Sequence, residues 1–210
     1  MRRKAKFLFI ALTGILVAWS SLSAAPLTVP EVLAKMQAQE ATLEDLQFDL
    51  RQVIQFKELK EKQNVLAKVI YKKPDLLYVE YSAPNEQMVI ANKDDMVMYT
   101  REQGRWQESM RQKISNLVGK QWKADYGLWT TTDLEKNYDV KVLPYKAGQV
   151  PLSLQPKDKT YNFTMTIFLD QKTWLPVKTL WEDENQLITT DLTHIKVNNK
   201  VNSDIFKFKP

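Results

Sequence analysis

The chain has 210 residues, no cysteine, one histidine and a formal net charge of +5. The charge is unevenly placed: of 30 basic and 25 acidic residues, the first 25 positions hold four basic and no acidic ones, which leaves +1 for the remainder. A clustered basic field for nucleic acid is therefore excluded, as are a disulfide framework and a cysteine- or histidine-rich metal set.

The chain opens with Arg2, Arg3, Lys4 and Lys6, an apolar run from Phe7 to Trp19, and small residues from Ser20 to Ala25. This order of basic, apolar and small residues predicts a secretory signal peptide over residues 1–25. Residues 26–210 are then expected to form one exported, soluble domain. Without a cysteine the N-terminus has no site for a lipid anchor, and no second run of membrane-spanning length follows.

Thr28-Val29-Pro30-Glu31 reads as a capping box, with proline tolerated in the first turn. Val32, Leu33, Met36 and Leu43 follow at helical spacing and predict a helix over Val29–Thr42. The period then switches to two: Leu46, Phe48, Leu50, Ile54 and Phe56 alternate with polar residues, the signature of a long half-buried strand. A charged turn at Glu58–Lys62 precedes a second strand around Val65–Tyr71. Lys73-Pro74-Asp75 turns the chain into a strand at Leu76–Tyr81, and Ala83-Pro84-Asn85 turns it again. Met88–Ala91 and Met96–Tyr99 are predicted to pair as a hairpin around Asn92-Lys93-Asp94, where Asn and Asp tolerate left-handed geometry.

From Trp106 to Trp129 the alternation weakens. Met110, Ile114, Leu117 and Val118 are helically spaced, Gly119 is placed to end a helix, and Trp122, Tyr126, Leu128 and Trp129 cluster. One or two short helices inserted between sheet strands are expected here. Strands resume at Tyr138–Leu143, Leu152–Gln155, Tyr161–Leu169, Leu175–Trp181 and Leu187–His194, and the closing Phe206-Lys207-Phe208-Lys209-Pro210 alternates once more.

Catalytic chemistry needs convergent polar groups, and these are scarce. His194 stands alone in a predicted strand, Asp94-Asp95 and Glu182-Asp183-Glu184 fall in turns, and there is no glycine-rich phosphate loop. No enzyme, metal or cofactor is predicted. What stands out is apolar surplus: the stretch Ile70–Tyr99 is richer in apolar residues than one buried face requires. Met88, Met96, Met98, Met110 and Met165 fall on the predicted interior elements, and methionine suits surfaces that adapt to variable ligands. Such a sheet is expected to be apolar toward a cavity.

Several short motifs in a fixed order carry a resemblance. They are the N-terminal helix, Phe48–Gln52, Lys73-Pro74-Asp75-Leu76 with Tyr78–Tyr81, Pro84, Gln87–Ala91, Met96–Tyr99, Leu152-Ser153-Leu154-Gln155-Pro156, Phe168-Leu169-Asp170 and the terminal FKFKP. In this order the chain resembles the periplasmic outer-membrane lipoprotein carriers of the LolA family and their lipoprotein-sorting relatives. The resemblance implies an α+β, mainly β fold: an incomplete antiparallel β-barrel with helices as a lid over a hydrophobic cavity. It implies a periplasmic, monomeric carrier of acylated lipoproteins, which collects cargo from an inner-membrane ABC transporter and passes it to an outer-membrane acceptor. A carrier or sensor of another lipid on the same fold is the alternative. In the best-known carriers an arginine before the proline tethers the lid; here that position is Lys73, a point charge rather than a planar fork. The aromatic residue usual in the following strand corresponds to Leu77.

The residues expected to line the cavity are Phe48, Leu50, Leu77, Val79, Tyr81, Met88, Ile90, Met96, Met98 and Met165, with Lys73 as lid latch. Shielding is the physical need. At about 0.8 kcal/mol per methylene, a triacyl anchor with on the order of forty methylenes would cost up to about 30 kcal/mol to expose to water.

Overall fold

In the structure, a computed structural model, residues 27–116, 131–145 and 147–209 are described. The predicted signal peptide, and Leu117, Val118, Gly119, Trp122, Tyr126, Leu128, Trp129 and Pro210, lie outside the described residues.

Helix α1 spans Val29–Thr42 as the periodicity predicts. The capping box closes it: the Thr28 backbone N–H donates to Glu31 Oε2 at 2.7 Å, and the Thr28 hydroxyl donates to the same oxygen at 2.8 Å. The backbone N–H bond, then the hydroxyl, holds the Glu31 carboxyl below its ordinary pKa. Val32, Leu33 and Met36 are the buried stripe.

Eleven strands form one antiparallel sheet: β1 (Asp45–Phe56), β2 (Lys62–Lys72), β3 (Leu76–Ala83), β4 (Gln87–Asn92), β5 (Asp95–Glu102), β6 (Arg105–Lys113), β7 (Tyr138–Val142), β8 (Gln149–Pro156), β9 (Thr164–Asp170), β10 (Pro176–Glu182) and β11 (Gln186–Val197). Their order is β6-β5-β4-β3-β2-β1-β11-β10-β9-β8-β7. Two meanders, β1–β6 and β7–β11, are thus joined by the single long-range pair β1–β11. The sheet is not closed into a barrel: β6 and β7 are its two edges.

The main correction falls on residues 105–113. The helical spacing of Met110 and Ile114 predicts a helix, but Arg105–Lys113 is an edge strand, reached from β5 by a tight turn with Gln103 and Gly104 both at positive φ. An edge strand exposes one flank and carries polar residues at most positions, so its alternation was faint: only Trp106 and Gln112 are even half-buried. A 3-10 turn at Ile114–Asn116 follows, and a short helix α2, not predicted, spans Thr131–Asn137. The C-terminal FKF is not a strand either. It follows a 3-10 turn at Ser203–Phe206 and packs across the sheet. Tyr161 lies outside β9 and is exposed.

Register decides which side chains share a face, because paired residues on adjacent strands point to the same side. One row runs from Met98 through Val89, Val79 and Val69 to Phe48. Two residues further along β1, Leu50 pairs with Leu192. From Thr190, two residues back on β11, the row continues through Thr179 and Ile167 to Leu152. Since α1 and Leu134 of α2 pack against Leu152, Leu154, Met165, Ile167 and Leu169, this row marks the helix-covered, inner face of the whole sheet.

Candidate functional site

The inner face carries two apolar clusters. The first lies on β1–β5 and contains Leu46, Phe48, Leu50, Val69, Tyr71, Leu77, Val79, Val89, Ala91 and Met96, with Leu43 at the end of α1 packed in. The second lies on β7–β9 beneath α1 and α2. A 14-residue helix is about 21 Å long, so α1 reaches from the second cluster, through Val32 and Met36, to the first, through Leu43.

Of the predicted cavity residues, Phe48, Leu50, Leu77, Val79 and Met96 stand in the first cluster, with Tyr81 and Met98 half-buried against it. Met165 belongs to the second cluster on the same face. Met88 and Ile90 were expected beside them and are not there: they lie on the outer face, with Ile70, Tyr78, Val97, Tyr99 and Phe206. The reason is that β4 is buried on both sides, so Met88-Val89-Ile90-Ala91 has no polar alternation to reveal its parity. The inward pair is Val89 and Ala91. Met110, on the edge strand β6, is exposed.

Burial along the inner face is graded. On β1, Leu46, Phe48 and Leu50 are buried, whereas Gln52, Ile54 and Phe56 are half-exposed. Their neighbours Val65 on β2, Ile188 on β11 and Trp181 on β10 are half-exposed as well. The face is therefore shut at the end where α1 meets β1 and partly open, with apolar side chains, at the other.

The shut end is held by polar contacts. Lys73, in the β2–β3 turn, donates from Nζ to the Glu40 carbonyl oxygen in the last turn of α1 at 2.6 Å, and its backbone N–H donates to Glu44 O at 2.9 Å. A cation there also meets the negative end of the helix dipole. The Glu40 carboxylate in turn accepts from the Thr131 N–H at the start of α2, at 3.4 Å. Asn198, in left-handed geometry just after β11, donates from Nδ2 to Thr42 O and accepts the Glu44 N–H on Oδ1, both at 2.8 Å. Asp45, buried, accepts the backbone N–H of Asn199 at 2.8 Å. Lys73 alone of this group was singled out in the sequence. Glu40, Asn198 and Asp45 carry no local signal, because the partners of their side chains lie 90 or more residues away.

Among the described residues, no group of three or more His, Cys, Asp or Glu is placed to hold a metal ion. His194 is 78% exposed and pairs through Nδ1 with Asp49 Oδ2 at 2.9 Å. A cleft of about 420 Å³ on β1, β2, β3 and β11 mixes the charged Asp49, Arg51, Lys68 and Glu80 with the apolar Leu50, Leu66 and Ala67. Among the described residues no helix is long and apolar enough to cross a membrane.

The inner face is thus apolar, packed by α1 and α2 on one side and half-exposed at one end. The sequence model of the family described as outer membrane lipoprotein carrier protein LolA matches residues 41–209. The chain belongs to the LolA family. Its fold is the LolA-like lipoprotein-binding fold. Among solved structures, a LolA superfamily protein from Nitrosomonas europaea is 13% identical, with 87% of this chain and 99% of that one covered and a TM-score of 0.45. The Mycobacterium tuberculosis lipoprotein LppX is 12% identical over 83% of this chain and 99% of its own, with a TM-score of 0.48. MucB is 16% identical over 86% of this chain, which spans 62% of MucB, with a TM-score of 0.50. At these identities the likeness is one of fold. No curated protein sequence matches the chain.

Proposed function

We propose that this LolA-family chain is a periplasmic carrier that takes up the acyl chains of lipoproteins from an inner-membrane ABC transporter and delivers them to an outer-membrane acceptor. The observation that carries this reading is that both apolar clusters lie on one inner face of the sheet, with a half-exposed end bearing Ile54, Phe56, Ile188 and Trp181. Acyl chains lie against Phe48, Leu50, Leu77, Val79, Tyr81, Met96, Met98 and Met165, and α1 and α2 act as the lid. Lys73 is the latch in place of the family's arginine, since it already bonds α1.

Residues 26–210 act as one domain and as a monomer, without a cofactor and without catalysis. The apo contacts of the lid are exchanged for lipid contacts, so binding needs to be adaptable rather than maximal. Incubating the purified protein with inner-membrane vesicles that hold the transporter, ATP and a labelled triacylated lipoprotein tests this. Release of the lipoprotein in a soluble one-to-one complex is expected, and retention in the vesicles refutes the shuttle role. Two departures, Lys73 and Leu77, favour a second reading, a carrier or sensor of another lipid. A bound phospholipid or glycolipid in native mass spectra, without lipoprotein release, selects that reading.

A further inference from the structure

The two apolar clusters are not continuous in one place. Gln52 on β1, Thr190 on β11 and Thr179 on β10 stand side by side on the inner face, Gln52 paired in register with Thr190 and Thr190 with Thr179. They form a polar seam three strands wide, about 10 Å. Leu50 and Leu192 flank it toward the shut end, Ile54 and Ile188 toward the open end, and Ile167 on the side of the second cluster. Thr190 is only 6% exposed.

The seam is incompletely satisfied by the protein. Gln52 Nε2 donates to Thr190 Oγ1 at 3.1 Å. An amide has a second N–H and a carbonyl oxygen, and a hydroxyl has its own proton. Among the described residues the Thr190 hydroxyl proton has no acceptor and the Gln52 amide has no second partner. Strand ladders already pair the backbone here, so the fold does not need these side chains. Valine and leucine would fill the same space without the cost of a buried polar group.

We propose that this seam binds the ester linkages of a lipid with more than one acyl chain, with one chain on each apolar cluster. The proposal rests on the reading of the inner face as the lipid site and adds the class of lipid. Ester carbonyls are acceptors without donors, which matches the spare N–H of Gln52 and the hydroxyl protons of Thr190 and Thr179. The seam lies where burial gives way to exposure, so the linkages sit near the open end, the chains run toward Lys73 and beneath α1, and the head group emerges.

The test compares two probes with identical chains, dipalmitoyl phosphatidylglycerol and its dihexadecyl diether counterpart, which lacks the carbonyls. The purified chain is expected to bind the diester about five- to twentyfold more tightly, the yield of one or two hydrogen bonds. In the variant Gln52→Leu with Thr190→Val that preference is expected to vanish, with diether affinity retained. Equal, tight binding of both probes by the unmodified chain overturns the seam and leaves the lipid site standing. Binding of neither overturns the lipid site itself. The first comparison needs no variant, so a misfolded double mutant does not shelter the proposal.

Discussion

Strands β3–β5 carry two apolar faces of similar size and dryness, and what lies over each differs. On the outer face, Tyr78, Met88, Ile90, Val97 and Tyr99 pack under the chain's own last residues. That cover is pinned throughout: Asn92 Nδ2 donates to Phe206 O at 3.0 Å, the Lys209 N–H donates to Tyr99 Oη at 2.9 Å, and Lys72 Nζ donates to Val201 O at 3.1 Å. The Arg111 guanidinium lies 4.9 Å from the Phe208 ring centre, and its bidentate bond to Glu108 holds it there. On the inner face, Leu77, Val79, Val89, Ala91 and Met96 share a cluster with Leu43 at the end of α1, whose last turn is tied by Lys73, and along β1 that face fades to half-exposed residues. Burial alone does not separate the outer core from the proposed binding wall.

The strongest test of this contrast removes the outer cover's anchor. Phe206, 1% exposed, is the largest side chain that the last segment buries. Phe206→Ala is expected to cost about 3–5 kcal/mol in denaturant unfolding, while lipid affinity, measured by displacement of a fluorescent probe, stays near its original value. A comparable loss of affinity would mean that the outer face also contributes to the site.

A charge on the inner wall should do the opposite. Met98 is half-buried beside the first cluster, so Met98→Glu leaves the apo fold largely intact. It is expected to weaken lipid binding by about 2–4 kcal/mol, a hundredfold or so, because an unpaired carboxylate would be desolvated by the chain. Unchanged binding would remove β5 from the wall.

Smaller effects come from the latch. Lys73→Ala is expected to cost about 0.5–1 kcal/mol of stability, since the side chain is exposed and solvent screens the interaction. Amide exchange in the last turn of α1 should quicken, and Lys73→Arg should restore it. If exchange is unchanged in the alanine variant, the Lys73–Glu40 bond does not hold the lid.

The smallest effect concerns the other end of α1. The Glu31 carboxyl is held below its ordinary pKa by the Thr28 N–H and hydroxyl, so the folded state binds its proton less readily than the unfolded one. Its contribution is complete above the unfolded value of about 4 and disappears as pH falls through the lower folded value. Fraying of the first turn of α1 should therefore rise between pH 5 and pH 3 in hydrogen exchange. Glu31→Gln should show the same weakening at every pH.

The pattern of strands was legible wherever one face met solvent. Phe48-Asp49-Leu50-Arg51 alternates cleanly, and Phe48 and Leu50 lie together on the inner face. It was illegible where both faces are dry, as at Met88–Ala91, because parity then depends on what covers each side. It was illegible again at β6, where an edge strand is wet on both faces. The helix α1 was readable to its caps because capping is local. The bond of Asn198 to Thr42 and the seam of Gln52 and Thr190 join residues from opposite ends of the chain. No spacing in the sequence records such meetings.

The strand order has a kinetic consequence. Each pair in the sheet except β1–β11 joins neighbouring elements of one meander, so nine of the ten strand pairs can zip locally at small loop-closure cost. The β1–β11 pair joins residues such as Leu50 and Leu192, and it is the one strand pair of the sheet that brings distant parts of the chain together. Leu50→Ala and Leu192→Ala are expected to speed unfolding far more than they slow refolding, the mark of contacts formed after the transition state. A matched slowing of refolding would place this junction in the folding nucleus. The join between the two halves is then the last part of the sheet to assemble and the first to open.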